Sequence, residues 1–517
     1  MSSTMVLGKI LLTALLTSRV AASTGHPSGD WPWQTFKSSP AQPPSLRINK
    51  HGNTSPGYLI FNQNGPEVHN YSLFIMSDDN ELVWQSERNG FADFRVQTFE
   101  DSPVLTHWQG LALGEPWGFG VGIVRIYDES YENIYNVSLT TAQENIIPSG
   151  GLDSGMLFSY LDFHESRITR DGTMLVTVYN VTEHDLSPYG GPRNGWVTNS
   201  LFYEMDIKTN TVLYRWSALD HTDQIPIDDA IQFHPLEDFG KNKTLPYDYF
   251  HLNSVDKLDD GSYIISSRFF CSIFRLTPNG TVEWTFQGEN GGDFKLASDI
   301  SFRYQHDARV RHVGEDFMQL SLFNNDNSAV KSGVNETTGI FVTLDTKTWT
   351  ATLDRELVDP TDRVYAKSQG NTQFLENGNV IMGYGSTAKI KEFTPDGSVA
   401  MSAVFGHKDG TVFSYRSYRF PWIGRPKTSP SVYACIKSNE TQVYMSWNGA
   451  TEHKTWQVFA GSTEGDLSSQ VSVARQGFET AVTLSGLPAL IQVEAKTADI
   501  DIPGARSAIT RAEEPCT

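Results

Sequence analysis

Residues 273–284 read IFRLTPNGTVEW, and residues 390–399 read IKEFTPDGSV. In both stretches an alternating apolar run meets a Pro-Asn-Gly or Pro-Asp-Gly turn, and a second strand pattern follows. Asn-Gly and Asp-Gly pairs tolerate the positive φ that tight hairpin turns require. The two stretches therefore predict the same two-stranded unit, used at least twice in one chain.

The same theme recurs elsewhere along the chain. An Asp-Gly or Asn-Gly turn precedes the strand patterns MLVTVY (174–179), YIISS (263–267) and VIMGY (380–384), and looser copies end at Trp216 and Trp349. Antiparallel units that repeat every 40–60 residues or so indicate propeller blades, because a blade buries its faces only against neighbouring blades. Six such blades fit the span from about residue 45 to about residue 425.

The composition changes after WIGRP (422–426). Five further strand patterns separated by tight turns start at Ser431, which is typical of a small β-sandwich. We therefore expect an all-β protein. It comprises a signal peptide (1–22), a six-bladed β-propeller (23–428) and a C-terminal β-sandwich domain (429–517).

The first residues have the pattern of a secretory signal peptide. Lys9 precedes the apolar run ILLTALL (10–16), and Val20, Ala21 and Ala22 supply small residues for cleavage. The run is too short to span a bilayer, and the polar C-terminus does not resemble a lipid-anchor signal. We expect the secretory pathway, with an extracellular or vesicular destination and no membrane anchor.

Modification sites fit that destination. Eight N-x-Ser/Thr triplets predict N-glycosylation at Asn53, Asn70, Asn136, Asn180, Asn242, Asn279, Asn335 and Asn439. Of three cysteines, Cys435 and Cys516 flank the C-terminal region and are expected to form a disulfide. Cys271 lies in an apolar run and is expected to be buried and unreactive.

The charge balance narrows the choice of partners. Asp and Glu total 60 against 40 Lys and Arg, a formal net charge of −20. Such a surface repels phosphate backbones and anionic membranes, so we expect no nucleic-acid binding. The oligomeric state is left open.

Candidate catalytic residues lie beside strongly apolar strands, in DFHE (162–165), DYFHLNS (248–254), IISSR (264–268) and YQHDAR (304–309). Strand alternation would place His251 and Asn253 on one face. His164, His251 and His306 occupy equivalent places in different units, so we expect them to converge at one end of a central channel. Three histidines could hold zinc. However, Arg268 would repel a cation, so we expect neither a metal nor a cofactor.

Several motifs together resemble the fungal branch of the arylsulfotransferase family. They are YDYFHLNSVDKLDDGSYIISSR (247–268), YQHDAR (304–309), LTHWQG (105–110), DFHE (162–165), SYRF (417–420) and SWNGATE (446–452). The resemblance implies a six-bladed propeller. In bacterial members a histidine attacks an aryl sulfate ester and carries the sulfuryl group to a phenol, without a nucleotide donor.

The resemblance also implies roles for single residues. His306 matches the nucleophile motif, His251, Asn253 and Arg268 match groups that bind the sulfuryl oxygens, and His164 matches a further pocket histidine. A neutral imidazole is nucleophilic, and an Arg fork with Asn and His donors stabilises charge on the transferring group. One departure is Phe119, which stands in a Gly-rich run where members often carry a histidine.

Two other functions compete with sulfuryl transfer. Similar secreted fungal proteins occur in tropolone–sesquiterpenoid biosynthesis, which implies a hetero-Diels–Alderase that needs shape, desolvation and hydrogen-bond donors rather than a nucleophile. A non-catalytic binding propeller is the third hypothesis, because fold does not fix function. Sulfuryl transfer is the leading hypothesis.

Overall fold

The computed structural model of the chain describes residues 31–114, 118–152, 157–326, 336–407, 410–497, 505–513 and 516. The expected signal peptide and the sequon at Asn335 lie outside the described residues. Within those residues, no helix has both the length and the apolar character needed to cross a membrane.

Strands dominate the described residues. The first twenty-six are β1 (Arg47–Lys50), β2 (Tyr58–Asn62), β3 (Leu73–Met76), β4 (Leu82–Gln85), β5 (Phe91–Phe99), β6 (Ser102–Ala112), β7 (Gly120–Tyr127), β8 (Asn133–Val137), β9 (Ser166–Ile168), β10 (Thr173–His184), β11 (Gly195–Asp206), β12 (Val212–Ser217), β13 (Leu252–Lys257), β14 (Tyr263–Ser267), β15 (Ser272–Leu276), β16 (Val282–Gln287), β17 (Lys295–Leu296), β18 (His306–Val313), β19 (Phe317–Asn324), β20 (Thr338–Asp345), β21 (Thr350–Leu357), β22 (Asn371–Phe374), β23 (Val380–Gly383), β24 (Lys389–Phe393), β25 (Val399–Val404) and β26 (Tyr418–Phe420).

The C-terminal part adds β27 (Ser431–Lys437), β28 (Glu440–Ser446), β29 (Thr455–Gly461), β30 (Ser468–Ala474), β31 (Glu479–Ser485), β32 (Leu490–Lys496) and β33 (Thr510–Arg511). The α-helix described is α1 (Ile227–Ile231). Short 3-10 helices lie at 149–151, 187–189, 218–221 and 464–466.

The first twenty-six strands form six small sheets. Each sheet has four consecutive antiparallel strands at its centre, except that β26 returns from late in the chain to pair with β2. We number them sheet 1 (β26-β2-β3-β4), sheet 2 (β5–β8), sheet 3 (β9–β12), sheet 4 (β13–β16), sheet 5 (β18–β21, with β17 outside) and sheet 6 (β22–β25, with β1 outside). Sheet 1 thus joins the two ends of this region.

Apolar clusters lie between the faces of successive sheets. Leu105 packs with Ile60 between sheets 1 and 2, and Phe323 packs with Met382 between sheets 5 and 6. Equivalent clusters separate the other neighbours, and one between sheets 6 and 1 completes the series. Strands near the inner edges of successive sheets also contact one another, namely β2 and β5, β5 and β9, β10 and β13, β13 and β18, β18 and β22, and β23 and β26, so the fold is a β-propeller-like ring.

The predicted hairpin turns are confirmed. Gly172, Gly261 and Gly378 have φ values of 76°, 83° and 85°, and Gly280 and Gly397 in the two opening repeats have 91° and 86°. A side chain at these positions would be strained. The repeated Asp/Asn-Gly pairs therefore mark real turns between neighbouring strands of one sheet.

The strands from β27 onward form two separate sheets, β27-β28-β31 and β30-β29-β32-β33. Their facing side chains, such as Val443 and Trp456, share one apolar cluster. Cys435 and Cys516 form the expected disulfide, and Cys271 is fully buried with a free thiol. Hydrogen bonds between Gln85 and Asn448 fix this part against sheet 1.

A buried ion network occupies the middle of the ring. It contains three arginines and three carboxylates, each no more than 5% exposed: Asp93, Arg95, Glu165, Asp307, Arg309 and Arg416. Glu165 is central, because it lies 2.9 Å from Arg95, 2.7 Å from Arg309 and 3.3 Å from Arg416. Burial alone would raise the pKa of Glu165, but these three guanidinium groups hold it well below its usual range.

The network joins all six sheets. Its members come from sheets 2, 3 and 5 and from the segment before β26. Backbone groups of the other sheets also bond to it: Val255 N donates to Glu165 at 3.1 Å, and Thr372 N donates to Asp307 at 3.0 Å. Tyr418 of β26 in sheet 1 also bonds to Arg95 and Asp93, so the network links residues in or next to the inner strands of all six sheets.

We expect Glu165→Gln to lower the free energy of unfolding by about 3–5 kcal/mol, because it leaves buried arginine charge uncompensated. Asp259→Asn, which breaks the exposed Arg170–Asp259 pair, should cost under about 1 kcal/mol. Chemical denaturation followed by tryptophan fluorescence measures both. Equal losses in the two variants would contradict a central role for the network.

Candidate active site

Three histidines meet at one end of the ring. His164 lies two residues before β9, and His251 immediately precedes β13. His306 is the first residue of β18. The rings of His164 and His251 lie 5.0 Å apart in an edge-to-face arrangement, and both histidines act electrostatically on His306. The predicted convergence of the three histidines is present, with each at most 7% exposed.

Two of these histidines are paired with carboxylates. His164 Nδ1 lies 2.5 Å from Asp162 Oδ1, and His251 Nδ1 lies 2.5 Å from Asp248 Oδ2. Gly120 N donates to the other oxygen of Asp162 at 2.6 Å, which ties this pair to β7. Each dyad leaves Nε2 as the ring nitrogen that is not bound to its carboxylate, so each can hold or release a proton there.

Asp248 and His251 share a strongly desolvated environment. Burial raises the pKa of Asp248 to about 7, against the opposing charges of His234 and Arg268. Burial, followed by the charges of His164 and Arg268, holds the pKa of His251 well below its ordinary value. Of the two groups, Asp248 is the one whose pKa lies near neutral pH.

His306 has a neutral partner instead. Its Nδ1 lies 2.7 Å from Asn325 Oδ1, and the Asn325 amide donates to the carbonyls of Ala366 and Gln369 at 2.9 and 3.0 Å. Because both amide donations are to carbonyls, the oxygen of Asn325 must face the histidine. His306 Nδ1 therefore carries the proton, and Nε2 keeps its lone pair.

The remaining contacts of His306 agree with that tautomer. Gln369 N donates to His306 Nε2 at 3.3 Å, a long hydrogen bond that only an unprotonated nitrogen accepts. Burial lowers the pKa of His306 well below its ordinary value, and the Arg268 charge lowers it further. His306 is a neutral imidazole with a nucleophilic Nε2.

Arg268 brings the positive charge of the site. Its guanidinium lies over the rings of Phe269 and Tyr304, at 4.8 and 5.4 Å, and donates to Lys367 O at 3.3 Å. Its backbone N donates to His251 O at 3.0 Å. This charge lowers the pKa of both His251 and His306.

Strand alternation is the wrong basis for placing Asn253 beside His251. His251 precedes β13 with φ of 53°, and the register of β13 shifts between Leu252 and Ser254. Asn253 Nδ2 donates to Gln305 O at 2.7 Å, which commits that amide to the next sheet. The left-handed residue and the irregularity break the two-residue period on which the prediction depended.

Aromatic rings surround the histidines. Phe119 lies 4.1 Å from Tyr179 and 5.2 Å from His251, and Phe163 stacks on His164 at 4.6 Å. Tyr415 contacts His164 edge-on at 5.3 Å. Such walls suit a flat aromatic guest. In the described part of the chain, no group of three or more His, Cys, Asp or Glu is arranged to hold a metal ion.

Sequence reasoning missed the partners of the histidines. Asp162 is two residues from His164, and Asp248 is three residues from His251. This short spacing between carboxylate and histidine could have indicated the dyads. Asn325 is nineteen residues beyond His306 and meets it only because β19 folds back on β18. No local pattern in the sequence marks that pairing.

The fold and the site together define an all-β, propeller-like protein with a histidine cluster at the ends of its innermost strands. A family model described as arylsulfotransferase (ASST) matches residues 95–406, which include all five predicted site residues. The chain belongs to the arylsulfotransferase family. No curated protein matches its sequence significantly.

Solved structures resemble the chain only distantly. A protein of unknown function from Bacteroides caccae is 14% identical, covers 71% of this chain and 100% of its own, and has a TM-score of 0.37. The GH43 BlXynB protein from Bacillus licheniformis is 9% identical, covers 79% of this chain and 85% of its own, and has a TM-score of 0.32. An α-L-arabinanase from Penicillium chrysogenum is 10% identical, covers 69% of this chain and 88% of its own, and has a TM-score of 0.33. None of these likenesses bears on activity.

Asn325→Asp should convert His306 towards an imidazolium, because a carboxylate facing Nδ1 favours the charged ring. Nitrogen-15 NMR of labelled histidine, assigned with His306→Ala, reports the tautomer and charge. We expect a neutral Nδ1–H ring in the parent and a protonated ring at neutral pH in the variant. Asn324→Asp, one residue earlier and bonded to Ser301 and Thr338, is the control. An Nε2–H ring in the parent would contradict the assignment.

The stability that buried His306 contributes should be lost as pH drops below about 6.5, since the unfolded chain then takes up a proton that His306 does not, whereas Asp248, whose pKa is raised to about 7, acts in the opposite direction. His306→Asn should reduce the slope of unfolding free energy against pH by about 1.4 kcal/mol per pH unit between pH 5 and 6. Denaturation at several pH values measures it, with exposed His312→Asn as control. An unchanged slope in His306→Asn would show that His306 is protonated in the folded state.

Proposed function

We propose that the protein transfers a sulfuryl group from an aryl sulfate to a phenol through a sulfohistidine at His306. One observation carries the proposal: Asn325 fixes the proton on Nδ1, which leaves a neutral, buried Nε2 as nucleophile beside the charge of Arg268. Membership of the arylsulfotransferase family supports the same reaction class.

In the first step the Nε2 lone pair attacks sulfur. The N–S bond forms as the S–O(aryl) bond breaks, and the aryl oxygen leaves with the bonding electrons. The long Gln369 N–H contact to Nε2 must be displaced by the substrate, and that amide then lies next to the transferring group. Arg268 stabilises the negative charge that builds on the sulfuryl and leaving oxygens.

The second step reverses the first with a different oxygen. The acceptor phenol oxygen attacks sulfur, the N–S bond breaks, and its electrons return to Nε2. Over the cycle one proton moves from the acceptor phenol to the departing aryloxide. The His251–Asp248 and His164–Asp162 dyads are the neighbouring groups suited to carry it.

We also propose the finer architecture. The closed series of six sheets, with a cluster between each neighbouring pair, supports a six-bladed propeller over residues 23–428 in which β26 completes the first blade. The two facing sheets around Val443 and Trp456 support a β-sandwich over residues 429–517.

Secretion and glycosylation remain part of the proposal. The Cys435–Cys516 disulfide suits an oxidising compartment. The seven sequons in the described residues are all reachable: five asparagines are exposed, and Asn70 and Asn180 are half-buried. Small aromatic molecules are the proposed substrates, and the acidic surface argues against nucleic-acid partners.

Incubation with an aryl sulfate should add one sulfuryl group to the intact protein. We expect the mass gain in the parent and in His312→Ala, and its absence in His306→Ala. Peptide mapping under mildly alkaline conditions should place the group on residues 306–313. A folded parent that gains no mass with several aryl sulfates, or a gain that persists in His306→Ala, would refute His306 as nucleophile.

A hetero-Diels–Alderase is the second candidate. The observation that favours it is the buried environment of the histidines, which are surrounded by aromatic rings. Such an enzyme would couple a tropolone-like diene to a terpene alkene without a covalent intermediate. It would keep its activity in His306→Ala more fully than in variants of the aromatic wall, which separates it from sulfuryl transfer.

A further inference from the structure

The end of the ring opposite the histidines holds a second, arginine-lined recess. Two adjoining cavities of about 730 and 540 Å³ lie there, and Arg167, Arg170 and Arg311 line both. β18 runs from His306 to Val313, so Arg311 lies five residues, or about 16 Å of strand, from His306. The buried ion network lies between the two ends.

Arg311 differs from the other two arginines of the recess. Arg167 pairs with Asp256 at 2.9 Å, and Arg170 pairs with Asp259 at 2.6 Å. Arg311 donates instead to Ser321 Oγ at 2.7 Å and Thr372 O at 3.2 Å. Among the described ion pairs, none joins Arg311 to a carboxylate.

The environment of Arg311 makes that charge costly. Burial lowers the pKa of its guanidinium to about 10, against the raising effect of Asp307. Asp307 itself is committed to Arg309 at 2.8 Å. Arg311 is half-buried, so an anion that enters the recess would offset the desolvation of its guanidinium, which has no bonded counter-ion among the described ion pairs.

We propose that this recess binds the oxyanion group of a small organic anion, with Arg311 as its principal ligand. A guanidinium matches a carboxylate or sulfate ester in shape as well as charge. Phe374, whose ring lies 4.8 Å from the Arg311 guanidinium, and Ile168 and Val310 supply an apolar wall for the rest of the molecule.

The size and rim of the recess select the class of ligand. About 730 Å³ suits a small organic molecule rather than a bare ion. Glu100, Asp101 and Asp171 line the same cavity and would repel a polyanion. The occupant is therefore a compact molecule with one anionic group, bound at a site separate from the histidines.

Titration calorimetry with benzoate tests the proposal on the intact protein. We expect Arg311→Gln to weaken binding at least tenfold and Arg311→Lys to weaken it less, whereas Arg215→Gln, at an arginine that lies outside the recess and pairs with Asp220 at 3.0 Å, should change it under about twofold. His306→Ala should bind benzoate like the parent, which separates this site from the histidine site. Circular dichroism shows whether each variant is folded.

Soaking crystals of the parent with 4-bromobenzoate provides an independent readout, with an anomalous bromine peak expected in the recess between β9 and β18. Binding that survives in Arg311→Gln, or that disappears in His306→Ala, would overturn the assignment. Equal affinity for inorganic sulfate and benzoate would overturn the organic class of ligand. None of these results depends on whether His306 accepts a sulfuryl group.

Discussion

The structure depends on the buried charge at Glu165. Its carboxylate meets three arginines that come from two different sheets and from the segment before β26. Removing six ionised groups from water is expensive, and only near-complete pairing offsets that cost. Because Asp93, Asp307 and backbone amides complete the pairing, residues from several sheets are held around one buried carboxylate.

The repeated turns and strands were predictable because they are local. Asp171-Gly172 and Asn279-Gly280 contain the positive φ that a hairpin requires, and alternation in the following residues indicates the buried face. The convergence of His164, His251 and His306 also followed, since equivalent positions in a ring share one end. The side chains that hydrogen-bond to these histidines could not be predicted in the same way. Asn325 reaches His306 only through the pairing of β18 with β19, and the left-handed conformation of His251 has no signature in its neighbours.

The ion network was beyond prediction for a related reason. Arg95, Glu165 and Arg416 are each ordinary charged residues beside apolar strands, and such residues are more often exposed than buried. Their burial results from the closure of the ring, in which residues far apart in the chain share one axis. The ion pairs at the centre of the ring thus depend on how the whole chain folds. Turns and the buried faces of strands depend only on short segments of sequence.

The three histidines at one end of the ring differ in the side chain that contacts Nδ1. A carboxylate lies against Nδ1 of His164 and of His251, whereas the amide of Asn325 against Nδ1 of His306 supplies no charge and fixes the tautomer of that ring. In the proposed reaction the two dyads carry protons and His306 is the nucleophile, so an asparagine in place of an aspartate separates the two roles at nearly constant shape. The Arg268 charge lowers the pKa of both His251 and His306, and His306 has no carboxylate at Nδ1 to oppose it. The side chain that contacts Nδ1 therefore determines the chemistry of each histidine in the cluster.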